Sequence, residues 1–133
     1  SKQDLVDYII NAKTDIAIAK QYRFVIDLKG APIGFIDLFD YTTESAGVGV
    51  IITKEYRHKG FAKEALNLLV DYAFLVLGIK QLYASVIKSN LLSMKLFSSC
   101  QFTLQRKKSD LQYFIKFISL VCFIKFVSFV YFK

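Results

Sequence analysis

The sequence predicts one mixed α/β domain built on a mostly antiparallel central sheet. Three short runs with strand-like alternation, residues 22–28, 33–41 and 46–52, follow one another with only turn residues between them. A helix-periodic run then stops at Gly78, and a strand run and a second helical run come after it. At 133 residues and 54% hydrophobic content, the chain is long enough for one core and too apolar for global disorder.

Taken in order, residues 1–20 read as a helix, because Leu5, Tyr8, Ile9, Ala12, Ile16 and Ala19 recur at three- and four-residue intervals. Residues 22–28 alternate as a strand, and residues 29–32 form a hairpin turn around Gly30 and Pro32. The return strand covers residues 33–41, with Gly34 expected at a bulge or a close backbone approach. A polar turn at residues 42–45 leads into the third strand, residues 46–52. The helix from Phe61 places Ala62, Ala65, Leu66, Leu69, Ala73 and Leu77 on one side, and Gly78 suits a left-handed helix stop. Residues 79–87 read as a strand, 90–99 as a helix, 102–105 as the start of a strand, and 106–110 as a charged turn.

Residues 111–133 are an aromatic-rich run, and residues 115–133 are almost wholly Phe, Ile, Val, Leu and Ser apart from three lysines. Its β-branched and aromatic content favours two terminal strands. An aberrant tail and a membrane-associated segment are the other two readings. A membrane span needs roughly 20 apolar residues without charge, and Lys125 interrupts the longest run.

The net charge of +7 suits nucleic acid, an anionic surface or a phosphorylated cofactor. No RNA-binding or helix-turn-helix signature accompanies it, so a cofactor is the expected partner rather than nucleic acid or membrane. Cys100 and Cys122 fit neither a zinc pattern nor a disulfide framework, and no metal is expected. With no signal-peptide core at the N-terminus, the expected compartment is the cytoplasm.

The segment Arg57-His58-Lys59-Gly60-Phe61-Ala62 lies between a strand and a helix. The first N–H groups of a helix lack intrahelical partners and carry partial positive charge. Gly60 lets a ligand approach the backbone, and three cationic or ionisable side chains surround it. A second block follows: a strand-like run over residues 82–87, then Asn90, Ser93 and Phe97, closing at Cys100-Gln101-Phe102.

The Arg-x-x-Gly-x-Ala loop resembles the acyl-CoA pyrophosphate loop of the GNAT superfamily of N-acetyltransferases. The second block is similar to that family's other cofactor segment, where an Asn opens a helix and a Gly-Phe pair closes it. The resemblance covers residues 22–102 of a single domain, 1–133, and is closest in style to the branch with ribosomal-protein alanine acetyltransferases. It implies a mixed sheet with helices on both faces, lacking the family's first strand and helix. It also implies acetyl-CoA as cosubstrate, held by Ile51, Ile52, Thr53, Arg57, His58, Lys59, Gly60, Phe61, Ala62, Lys63, Asn90 and Ser93.

The implied activity is acetyl transfer to a primary amine of a small molecule or a protein N-terminus. Such transfer uses a base to deprotonate an ammonium and an acid to protonate a thiolate. The position of the family's strand carboxylate holds Gly47, and that of its helix tyrosine holds Phe97. Glu44, Asp37 and Asp40 are the candidate bases, with Tyr83 and Ser93 as polar neighbours. The competing reading is a catalytically impaired, CoA-binding remnant of the fold that dimerises. A homodimer is expected on either reading, because an apolar tail on a small domain calls for burial.

Overall fold

The computed structural model describes residues 2–108 and 110–117. The expectations for residues 118–133 lie outside the described residues, as do those for the side chains of Leu5 and Tyr8. The elements are α1 (Lys2–Ala19), β1 (Tyr22–Leu28), β2 (Ala31–Phe39), β3 (Ser45–Ile52), a 3₁₀ turn (Lys54–Tyr56), α2 (Phe61–Leu75), β4 (Gln81–Ile87), α3 (Leu91–Ser99), β5 (Thr103–Lys108) and β6 (Leu111–Phe117). They build a six-stranded sheet in the order β1-β2-β3-β4-β6-β5. Its β3–β4 pair is parallel and the four others are antiparallel, so the mixed class follows as expected.

Local chemistry sets the turns. Lys29 and Gly30 both take positive φ, as a tight two-residue hairpin demands, and Gly30 N–H donates to Asp27 Oδ2 at 2.9 Å. Gly34 marks a close approach: a Cβ there would lie 2.2 Å from the Ile51 carbonyl oxygen. The pairing passes from Ile26–Gly34 to Asp27–Pro32, so Ile33 is the extra residue and a bulge in β2 lies directly beside Gly34. Gly78 ends α2 at φ 69, and Ile79 N–H returns to Ala73 O at 2.9 Å.

Alternation along the strands separates two faces. Ile36, Leu38, Ala46, Val48, Leu82, Ala84, Val86 and Phe114 point into one buried cluster. The helices contribute Ala12 and Ile16 from α1, Leu66, Leu69, Val70 and Ala73 from α2, and Phe97 from α3 to that same cluster. Phe24 of β1 meets Tyr72 of α2 ring to ring at 5.4 Å, and Tyr22 donates its hydroxyl to Ala12 O at 3.2 Å. Among the described residues the helices therefore cover one face, where the sequence pointed to both. The opposite face carries Val25, Phe35 and Ile51, which stay exposed.

Several boundaries differ from the sequence expectation for physical reasons. Strand β2 stops at Phe39 because Asp40 turns the chain at φ 49, and Tyr41 N–H then donates to Lys20 O. Strand β4 begins at Gln81 because Ile79 N–H is already bonded to the end of α2. Arg106, Lys107 and Lys108, expected in a turn, continue β5 after a register shift. An outer strand with exposed cations tolerates that composition, and Arg106 stacks over the Tyr113 ring at 4.6 Å. Ala19, expected on the apolar stripe of α1, is exposed.

Candidate functional site

The site begins where two neighbouring strands part. Strands β3 and β4 pair only over Ser45–Gly47 and Gln81–Tyr83. Beyond Gly47, the β4-side edge of residues 48–52 has no strand partner among the described residues, although the other edge stays paired with β2. A strand edge of this kind presents peptide N–H and C=O groups to whatever enters the gap.

At the far end of β3 the chain turns through Lys54–Tyr56, and His58 and Gly60 take φ of 63 and 84. Gly60 stands at the N-cap of α2 without a side-chain cap, and the first intrahelical bond runs from Glu64 N–H to Gly60 O. The N–H groups of Phe61, Ala62 and Lys63 thus point out of the helix end, where the dipole is positive. Nothing lies within 4 Å of a Cβ built on Gly60. Arg57 Nε donates to Ile52 O at 2.9 Å, which ties the loop to the strand end. Lys59 Nζ sits 5.6 Å over the Tyr56 ring, and that ring lies 6.3 Å from Phe61.

The third wall is the start of α3. Asn90 caps the helix by accepting from Ser93 N–H at 3.1 Å. Together these parts enclose a cleft of about 360 Å³. Ile51, Ile52, Arg57, His58, Gly60, Phe61, Ala62, Lys63, Asn90 and Ser93 all line it, so most of the cofactor residues expected from sequence meet in one place. Thr53 and Lys59 do not line it. Thr53 N–H is spent on Ile33 O at 2.8 Å, and Lys59 turns to Tyr56. The sequence reading missed Tyr56, Leu92 and Leu96 as lining residues. Leu96 follows Ser93 by three positions on α3, and that helical spacing could have found it.

The candidate bases scatter. Asp37 is held by Arg23 in a two-point ion pair, with both contacts at 2.9 Å. Glu44 is exposed and 3.5 Å from Lys80. Asp40 is exposed just beyond β2. Tyr83 is half-buried, and its hydroxyl titrates above its usual value, chiefly because burial disfavours the phenolate and next because Asp40 repels it. Phe97 is buried against the rings of Phe102 and Phe114. No group of three or more His, Cys, Asp or Glu able to hold a metal occurs among the described residues.

Residues 1–103 match the acetyltransferase (GNAT) domain. Spermidine N(1)-acetyltransferase of Vibrio cholerae is 34% identical over 83 residues, which are 60% of this chain and 48% of that protein. Acetyltransferase PseH of Campylobacter jejuni is 32% identical over 81 residues, 61% of this chain and 50% of that protein. These matches span about half the length of the relatives. The crystal structure of PseH in complex with acetyl coenzyme A superposes with a TM-score of 0.71 at 25% identity, covering 90% of this chain and 83% of that one. The dodecameric spermidine N-acetyltransferase from Vibrio cholerae does so with a TM-score of 0.71 at 25% identity, covering 81% and 71%. The parted strands, the uncapped helix end and a family match over residues 1–103 agree: this chain belongs to the GNAT acetyltransferase family.

Proposed function

We propose that this chain binds acetyl-CoA in the cleft between β3, α2 and α3 and transfers the acetyl group to a primary amine. The observation that carries the reading is the convergence of an unpaired strand edge, residues 48–52, with the free N–H groups opening α2. One end suits a pyrophosphate, and the edge suits an amide-bearing arm laid beside it as a further strand. Acetyl-CoA supplies the acyl carbon and the thiolate leaving group. The chain's own part is positional. Strand N–H groups orient the carbonyl and favour the charge that develops on its oxygen. Holding amine and thioester together supplies rate without a dedicated proton carrier. Water first takes one proton from the ammonium. The neutral amine nitrogen then forms the new bond to carbon as the carbon–sulfur bond breaks, and the second proton it sheds passes through water to the departing thiolate.

A second reading, a CoA-binding member of low catalytic power, is favoured by Gly47 and Phe97, which carry no proton-transfer group. The acceptor is better sought among small alkylamines than at ribosomal alanines, because a named relative acts on spermidine. We place the protein in the cytoplasm as a homodimer. No helix among the described residues is long and apolar enough to cross a membrane.

The test is calorimetry with acetyl-CoA on the intact chain and on Gly60→Val. Valine at φ 84 is strained, and its branches would stand over the helix N–H groups. Binding by the native chain and loss of binding in the variant, with the fold kept by circular dichroism, is the expected outcome. Equal affinity in both would refute the assigned site. Thiol release with a panel of amines then separates the two readings.

A further inference from the structure

Gly47 has no room for a side chain, since a Cβ there would lie 2.3 Å from Phe39 Cε2. Phe39 faces Gly47 across the β2–β3 register, and Tyr83 faces it across the β3–β4 register. The three share the sheet face opposite the helices. The two rings meet edge to face, with centroids 6.2 Å apart and planes at 87°. Gly47–Tyr83 is also the last pair before the strands separate. The Phe39 ring thus fills the volume that a larger residue at position 47 would take.

We propose that Phe39 and Tyr83 form the wall of the acceptor site and select a primary alkylammonium there. The inference rests on the acetyl-CoA reading. An arm laid along residues 48–52 from the basic loop spans about 16 Å, and its far end arrives beside Gly47. An amine reaching that end from the open face meets the two rings first. A ring face attracts an ammonium electrostatically, whereas a neutral group of equal size gains only packing. Asp40, next to Phe39 in sequence and acting on the Tyr83 hydroxyl, adds negative potential on the same side. Asp37 lies on this face too, but its carboxylate is engaged by Arg23.

The experiment compares butylamine and 1,4-diaminobutane with 1-butanol on the CoA-loaded intact chain, by ligand-observed NMR, alongside steady-state acetylation. Phe39→Leu and Tyr83→Leu keep apolar bulk but remove the ring faces, and Tyr83→Phe keeps the ring. In the two leucine variants the KM for amine, and the preference for amine over alcohol, should worsen by roughly tenfold. Acetyl-CoA affinity by calorimetry should stay at the native value, and Tyr83→Phe, which keeps the ring face, should retain the preference for amine over alcohol that the leucine variants lose. Unchanged amine KM and preference in both leucine variants would overturn the proposal. So would a native chain that binds acetyl-CoA but neither amine, and that result would leave the cofactor reading standing. Loss of acetyl-CoA binding in the native chain would instead remove the reading beneath it.

Discussion

Whether Gly47 signals a lost carboxylate or a rebuilt pocket depends on one neighbour. Seen in sequence it is only a small residue where the family keeps an acid. In the folded chain the Phe39 ring occupies the space above it, so a larger residue there would have to displace that ring. Cys100 has a similarly local answer. It is buried, with Sγ 4.0 Å from Lys63 O, and burial pushes its thiol above the usual value despite the lowering influence of Ser99, Lys63 and Lys116. The native state therefore holds the proton at a pH where the unfolded chain has lost it. This contribution to stability is full below the unfolded thiol's pKa, about 8.5, and is lost as pH rises beyond it. Iodoacetamide at pH 7.5 should label the Cys100 peptide slowly in the native chain and fast in denaturant, and melting should move to lower temperature above pH 8.5. Fast native labelling would contradict a buried thiol.

At the scale of the element, Asn90 both caps α3 and lines the cleft. Asn90 Oδ1 accepts from Ser93 N–H, which uses the acceptor of the amide. The donor, Nδ2, belongs to a side chain that lines the cleft. Asn90→Ala should cost about 1 kcal/mol of stability through loss of the cap. Asn90→Asp keeps the acceptor and should melt like the native chain, yet it should bind acetyl-CoA several-fold more weakly because the donor is gone. Thermal melting and calorimetry on the pair separate the cap from the contact. If both variants bound as tightly as the native chain, the residue would be a cap alone. The Arg106–Lys108 segment teaches the opposite lesson. Its charges read as a turn, but pairing with β6 made it a strand, because an outer strand can leave every side chain in water.

For the whole molecule, the decisive feature is a sheet covered on one face by the described helices. Val25, Phe35, Ile51 and Phe117 are respectively 55, 42, 65 and 72% exposed, all on the sheet. Apolar area of this kind on a small protein favours association, and a two-fold pair is the commonest closed solution. Light scattering on the intact chain should give twice the 15.2 kDa of the chain, falling to a single chain when Val25 and Ile51 are replaced by lysine. A monodisperse monomer at the concentrations used for assay would remove the dimer from the account.

By itself the sequence determined the order of elements, because alternation, helical spacing and glycine stops are written locally at Gly30, Gly60 and Gly78. It also determined most of the lining of the candidate cleft, since Arg57 to Lys63 and Asn90 to Ser93 are contiguous runs attached to helix starts. Tertiary structure decided everything that depends on distance across the sheet. The parting of β3 from β4 after Gly47 is a property of two strands separated by α2, and no local pattern encodes it. The same is true of the Arg23–Asp37 pair, of Thr53 bonded to Ile33, and of the Phe39 ring above Gly47. Each arises from register between strands, and register is settled by the whole buried face at once rather than by any one residue.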